Sequence, residues 1–223
     1  MTKKKYEFVW EDQVKAQDGK TILTRIRALK DIPMHGIKAG DLGGYIESEA
    51  NLAQDGFAWV GGLAHVYESG QVIDHAFANE YSRIYGCARL EGFAIANGLS
   101  SIRDAALVQD CAEVSGASIA CGRAVIKGRA SITDLVQVKD TASVGGMANL
   151  FNSVVISGNA RIGDHVWMLG NVHVSENARV NGHVIAMDFA KIKGEANLNG
   201  NHVILGNALI DTAPSPQPYL IAA

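Results

Sequence analysis

A six-residue repeat runs without a break through residues 58–210 and limits what this chain can fold into. The first residue of each hexad is mostly small, and 16 of these 26 positions are Ala. The third residue is apolar in all 26 hexads, and the fifth is Gly, Asp, Glu or Asn in all 25 complete ones. A phase kept over this length indicates a repeat architecture.

The pattern within a hexad predicts a short strand followed by a turn. Because strand side chains alternate, the first and third residues point to one side and form a tightly packed interior. The second and fourth residues then point outward, and Gly, Asp or Asn at the fifth position favours a turn. Three hexads close an 18-residue triangular coil, so this region predicts a parallel β-helix of 8.5 coils, roughly 40 Å long. There is no helical period and no apolar run long enough to span a bilayer, which excludes helical and membrane-spanning segments.

Two segments resemble a known superfamily. Residues 162–168 (IGDHVWM) and 172–178 (VHVSENA) resemble the hexapeptide repeat of left-handed β-helix proteins. The first is similar to a segment common in sugar and serine acetyltransferases of that superfamily. The left-handed sense of the coil is an implication of this resemblance, because the period alone does not fix handedness.

The chain divides into three predicted regions. Residues 1–57 form an N-terminal β cap, with a β-hairpin over residues 5–30 that turns at Asp18 and Gly19. The junction lies near residues 47–57, where residues 50–52 look like a partial hexad that is two residues out of phase. After the β-helix at 58–210, residues 211–223 contain three prolines and cannot continue the ladder. This tail is either a plug over the last coil, built on Tyr219, Leu220 and Ile221, or a loose end.

The cap carries a second resemblance. Residues 25–31, 37–46, 51–52 and 58–60 look like the N-terminal cap of YdcK-like hexapeptide-repeat proteins of bacteria and their phages, which are usually labelled transferases from their fold. The resemblance implies a bacterial or phage setting and carries no tested activity. The three cysteines form no CxxC pair and the chain opens without a signal peptide, so we expect reduced thiols and a cytoplasmic location. The net charge of −3 argues against a nucleic-acid binder.

Sorting the outward residues by 18-residue steps gives three faces. The face that begins at Ala58 becomes apolar toward its C-terminal end. Soluble monomers rarely expose so large an apolar patch, so we expect an oligomer interface, with a trimer implied by the superfamily and a dimer as the other option. Alternatively, the C-terminal tail folds back over the patch. The predicted interface residues are Phe151, Trp167, Leu169, Ile185, Met187, Val203 and Leu205.

The face that begins at Ala64 is mildly basic. Its outward strand positions carry no acid, which favours an anion site, although acids at the neighbouring corners are also compatible with an ordinary solvated face. The anion-binding candidates are Arg83, Arg103, Lys139, His173, Lys191 and Lys193.

Catalysis has two candidate residues. Hexapeptide acyltransferases use a His as general base at a cleft between subunits, and His165 and His183 lie one coil apart at the same corner beside the apolar face. Two features argue against catalysis: no loop interrupts the repeats, and the chain does not end in a helix. No metal site is expected, since no two His lie closer in sequence than eight residues.

The sequence therefore favours a non-catalytic, homo-oligomeric binding or assembly protein that presents a rigid surface to a macromolecular partner, with a protein as the expected partner and no cofactor. The alternative is a coenzyme A-dependent acyltransferase that binds acetyl-CoA and uses His165 or His183 as base.

Overall fold

The fold is described by a computed structural model that covers residues 4–212 and the backbone of residues 220–222. Tyr219 of the predicted plug lies outside the described residues, as do the side chains of Leu220 and Ile221.

The N-terminal segment is antiparallel. Strand β1 (Tyr6–Lys15) pairs with β2 (Ile22–Ala28), which pairs with β3 (Leu42–Ile46), and the turn between β1 and β2 contains Asp18 and Gly19 as predicted. Two short 3-10 helices, Pro33–His35 and Glu49–Asn51, lie before and after β3 in the sequence.

The rest is a parallel β-solenoid of about nine turns, which confirms the predicted fold class. Strands begin every six residues and form three walls. Wall 1 contains β4 (Trp59–Val60), β7 (Phe77–Ala78), β10 (Ile95–Ala96), β13 (Glu113–Val114), β16 (Ser131–Ile132), β19 (Asn149–Leu150) and β22 (Trp167–Gly170). Wall 2 contains β3, β5 (His65–Val66), β8 (Arg83–Ile84), β11 (Ser101–Ile102), β14 (Ile119–Ala120), β17 (Gln137–Val138), β20 (Val155–Ile156), β23 (His173–Val174), β25 (Lys191–Ile192) and β27 (Leu209–Ile210). Wall 3 contains β6 (Gln71–Val72), β9 (Arg89–Leu90), β12 (Leu107–Val108), β15 (Val125–Ile126), β18 (Ser143–Val144) and β21 (Arg161–Ile162). Two longer strands, β24 (Arg179–Asp188) and β26 (Asn197–Leu205), continue from wall 3 round the corner into wall 1.

The 18-residue coil is visible in the strand register. Ile95 pairs with Glu113, and Glu113 with Ser131, so each residue lies directly above the one 18 positions earlier. Every first and third residue of the hexads is buried, as the alternation predicts. All 25 fifth residues have a positive φ, which explains why Gly and short polar residues occupy that position.

The parallel ladder reaches back into the N-terminal segment. Tyr45 pairs with His65 and Leu52 with Val72. Both separations exceed the coil repeat by two positions, which is the offset of the predicted partial hexad. The hairpin then closes over the first coil. Trp59 is fully buried beneath it, and the Lys5 ammonium donates a hydrogen bond of 2.7 Å to the carbonyl of Ala58.

At the other end, the backbone of β28 (Leu220–Ala222) pairs in parallel with β26 and lengthens wall 1 by one strand. In this position these three residues continue the wall and do not lie across its outer face. Within the described residues, no helix is long and apolar enough to cross a membrane.

Candidate functional site

The apolar patch predicted on wall 1 forms three consecutive rows of side chains. Ile185 lies directly above Trp167, and Val203 above Ile185, while Met187 lies above Leu169 in the neighbouring column. Trp167, Leu169 and Ile185 are 54%, 40% and 43% exposed, and the other predicted interface residues are half-buried. The ring of Phe151 lies 5.8 Å from that of Trp167 and extends the patch toward the middle of the wall. The structure therefore brings all the predicted interface residues onto one surface.

The corner that follows wall 1 adds a residue that the sequence reasoning missed. Phe189 is 57% exposed and comes two residues after Met187, so it widens the patch beyond the edge of the wall. It was missed because only histidines were considered as site residues at the sixth positions of the hexads, and apolar residues there were not sorted by face. Sorting the sixth positions by 18-residue steps, as was done for the outward strand positions, would have found it.

The two candidate histidines stack on one another. The rings of His165 and His183 lie 4.8 Å apart at an angle of 15°, and both side chains are exposed at the corner that leads into the apolar rows of wall 1. Within the part of the chain that the structure describes, neither ring makes a hydrogen bond to a carboxylate that could orient it as a general base.

The anion-binding candidates form a long stripe along wall 2. Arg83 and Lys191 lie on strands six coils apart, about 29 Å along the axis. Arg103 pairs with Asp104 at 3.3 Å, and Lys191 lies directly above His173 near the C-terminal end. The structure brings together His173, Lys191 and Lys193, but separates them from Arg83, Arg103 and Lys139.

The β1–β2 hairpin folds over the N-terminal end of this stripe. Ala16 and Leu23 of the hairpin pack on Tyr45 and Tyr67 of wall 2, so Tyr67 is only 2% exposed although it occupies an outward position. Burial raises the pKa of Tyr67 to about 12. Its ring stacks on that of Tyr85 in the next coil at 5.0 Å.

Beside this contact the hairpin and wall 2 enclose a groove with a volume of about 440 Å³, which we term the hairpin groove. The hairpin contributes Lys15 and Gln17, and wall 2 contributes His65 and Arg83. The Arg83 guanidinium donates a hydrogen bond of 2.6 Å from Nη1 to Oε1 of Gln17. Burial, and secondarily the charge of Arg83, lowers the pKa of His65.

A strip of large side chains at the corner between walls 1 and 2 closes the groove. Leu63, Tyr81 and Leu99 are sixth residues of successive coils and are 41%, 57% and 57% exposed. Of all the groove residues, only Arg83 was a candidate from the sequence. His65 and Tyr45 lie on wall 2 strands, and the others lie at corners or on the hairpin. No period in the sequence indicates where the hairpin folds back over them.

The fold and these surfaces define the chain as a β-solenoid protein with an N-terminal hairpin cap. Neither the known protein-family models nor the curated proteins give a match to this chain. Among residues 4–212, no three His, Cys, Asp or Glu side chains are arranged so that they could hold a metal ion.

Proposed function

We propose that the chain is a non-catalytic binding or assembly protein that associates with further copies of itself through wall 1 and presents its other walls to a protein partner. The resemblance to the hexapeptide-repeat superfamily supports a left-handed coil and a trimer, with a dimer as the other option. A solenoid wall suits this role because its strands fix every outward side chain on a flat, rigid lattice.

The exposed rows of Trp167, Leu169 and Ile185 carry this proposal. Burial of apolar surface contributes roughly 25 cal/mol per Å², and large aromatic and aliphatic side chains dominate the centres of stable interfaces. A second copy of the chain is the occupant that we favour, because an identical wall offers the same flat, apolar and uncharged rows. Exposing an apolar patch of this kind to water has a free-energy cost for a monomer, and self-association removes this cost by burying the patch.

Mass in solution tests this proposal, with Trp167→Glu as the first variant and Ile185→Glu as the second. We expect a dimer or trimer by light scattering for the unaltered protein, and a monomer for each variant, because a buried glutamate without a partner opposes association. Ile95→Glu is the matched control. It lies on the same wall at an equivalent outward position, and its neighbour in the next coil is already Glu113.

The control should keep the mass of the unaltered protein, and all variants should keep its circular dichroism spectrum. A monomeric unaltered protein, or an oligomer that survives both Trp167→Glu and Ile185→Glu, would contradict self-association through wall 1.

The second candidate function is a coenzyme A-dependent acyltransferase, which the stacked rings of His165 and His183 beside the same patch favour. If copies associate through wall 1, these rings lie at the rim of the interface, where a general base for an acyl acceptor could act. Calorimetric titration with acetyl-CoA distinguishes the two functions. The enzyme would be favoured over the assembly protein if the chain binds acetyl-CoA saturably and turns it over, and if His183→Ala abolishes turnover but leaves binding intact.

A further inference from the structure

We propose that the hairpin groove binds a small, flat aromatic carboxylate. This inference does not depend on self-association through wall 1, because the groove lies at the opposite end of the solenoid and is built from a single copy of the chain.

The shape of the groove fits a small molecule with an apolar body. Its volume of about 440 Å³ lies within the range of small-molecule sites, and the hairpin and wall 2 enclose it from two sides. The side chains of Leu63, Tyr81 and Leu99 are stacked in successive coils, so they form a continuous apolar strip about 10 Å long. A flat ring system can lie along such a strip and bury one of its faces.

The charge of the groove fits an anion. Lys15 and Arg83 line it, and none of its lining residues, all of them within the described chain, is Asp or Glu. These cations attract a bound carboxylate, and the apolar strip keeps water from one side of it. The groove therefore differs from the surroundings of Arg103 on the same wall, whose guanidinium already pairs with the carboxylate of Asp104.

The guanidinium of Arg83 is oriented but mostly unused. Gln17 accepts one of its five N–H groups, and the buried Nε has no partner among the described residues. A guanidinium presents parallel N–H groups that match the two oxygens of a carboxylate. Because Gln17 holds the side chain in place, less conformational entropy is lost when an anion binds.

Calorimetric titration with cinnamate, a flat aromatic carboxylate, tests this proposal, and cinnamamide is the neutral comparison. We expect one saturable site per chain for cinnamate and affinity for cinnamamide that is weaker by about tenfold or more, the effect of losing charge-assisted hydrogen bonds. Arg83→Gln should weaken the affinity for cinnamate by a similar factor. Leu99→Glu, at an exposed corner position, should do the same by placing an anion in the groove.

Two controls locate the site. Arg103→Gln removes a cation from the same wall outside the groove and should leave cinnamate affinity unchanged. Trp167→Glu tests binding to the apolar patch of wall 1 and should likewise have no effect. The proposal would be overturned by an absence of saturable cinnamate binding, by equal affinity for cinnamamide, or by cinnamate affinity that survives both Arg83→Gln and Leu99→Glu.

Discussion

The acidic residues at the corners of the solenoid have a second role besides turn formation. Ten Asp or Glu residues occupy fifth positions with positive φ, and each accepts a hydrogen bond from the backbone N–H of the residue 18 positions later. In nine of these ten pairs the donor is a glycine. The carboxylate therefore satisfies a corner N–H of the next coil. The hydrogen bond also helps to offset the cost of a non-glycine residue in the left-handed conformation.

Lys5 is a charged residue for which the cost of burial outweighs the hydrogen bonds that it makes. Its side chain is fully buried in the cap, where Nζ donates to the carbonyls of Ala58 and Asp55 at 2.7 and 3.3 Å. Burial, and secondarily the nearby charge of Lys30, lowers the pKa of Lys5 from 10.5 to about 8. Between these two pH values the unfolded chain binds more protons than the folded one, so stability rises with pH.

We therefore expect Lys5 to add about 1 to 3 kcal/mol to the free energy of unfolding as the pH rises from 8 to 10.5. The Lys5→Met variant keeps the length of the side chain but cannot titrate. Urea unfolding of both proteins at several pH values gives the difference between them, in which the titration of Tyr6 and other groups cancels. A difference that stays constant over this pH range would contradict the lowered pKa.

At the scale of elements, the hexad pattern predicted the repeating strands of the solenoid, but it could not predict how the N-terminal hairpin folds over them. The phase of Ala58, Ala64 and Val60 was enough to place the strands, the buried interior and the three outer faces. Tyr67 and Trp59 occupy outward positions by the same rule, yet both are buried beneath the N-terminal segment. Their burial depends on long-range packing of the hairpin, which carries no periodic signal.

The same limit applies to the candidate site. The rows of Trp167 and Ile185 were predictable because outward strand positions recur once in every coil. The hairpin groove was not, because Lys15 and Gln17 reach Arg83 only through the path of the hairpin. Which corner side chains it would meet, such as Leu63, is fixed by that path as well.

The hairpin should depend on Tyr67 more than the solenoid does. Tyr67→Ala removes a buried aromatic ring from the contact between the hairpin and wall 2, and such a change costs about 3 kcal/mol or more in a packed site. We expect faster hydrogen exchange of the β1 and β2 amides, with unchanged exchange in the middle of the solenoid. Tyr81→Ala, at an exposed position, is the matched control. Equal exchange in β1 and β2 for both variants would show that Tyr67 does not hold the hairpin.

At the scale of the whole molecule, stability is a sum over neighbouring coils. Each strand inside the solenoid, away from its two ends, pairs with the strands one coil before and after it, so removing one whole coil should close the ladder again in phase. The corner between walls 2 and 3 adds a condition. From Glu68 to Gly194 it alternates strictly between an acid and a glycine in successive coils.

Deletion of residues 141–158 tests this condition, because it places Asp140 directly below Glu176. Two such charges about 5 Å apart repel one another by roughly 1 kcal/mol in water. In the full-length protein Asp140→Gly should destabilise, since it removes the 2.9 Å hydrogen bond from the N–H of Gly158. In the shortened protein the same substitution should stabilise. Urea midpoints of the four proteins measure both effects, and an effect of the same sign in the two backgrounds would contradict the role of the alternation.

The alternation of acid and glycine also affects how such a chain can gain or lose coils during evolution. A tandem duplication of one coil places either two acids or two glycines next to each other at that corner, whereas a duplication of two coils copies the acid and its glycine together. The interior accepts either event, because all coils except the one that contains His202 present small and aliphatic residues there. The alternation at this single exposed corner is therefore preserved only when coils are gained or lost in pairs.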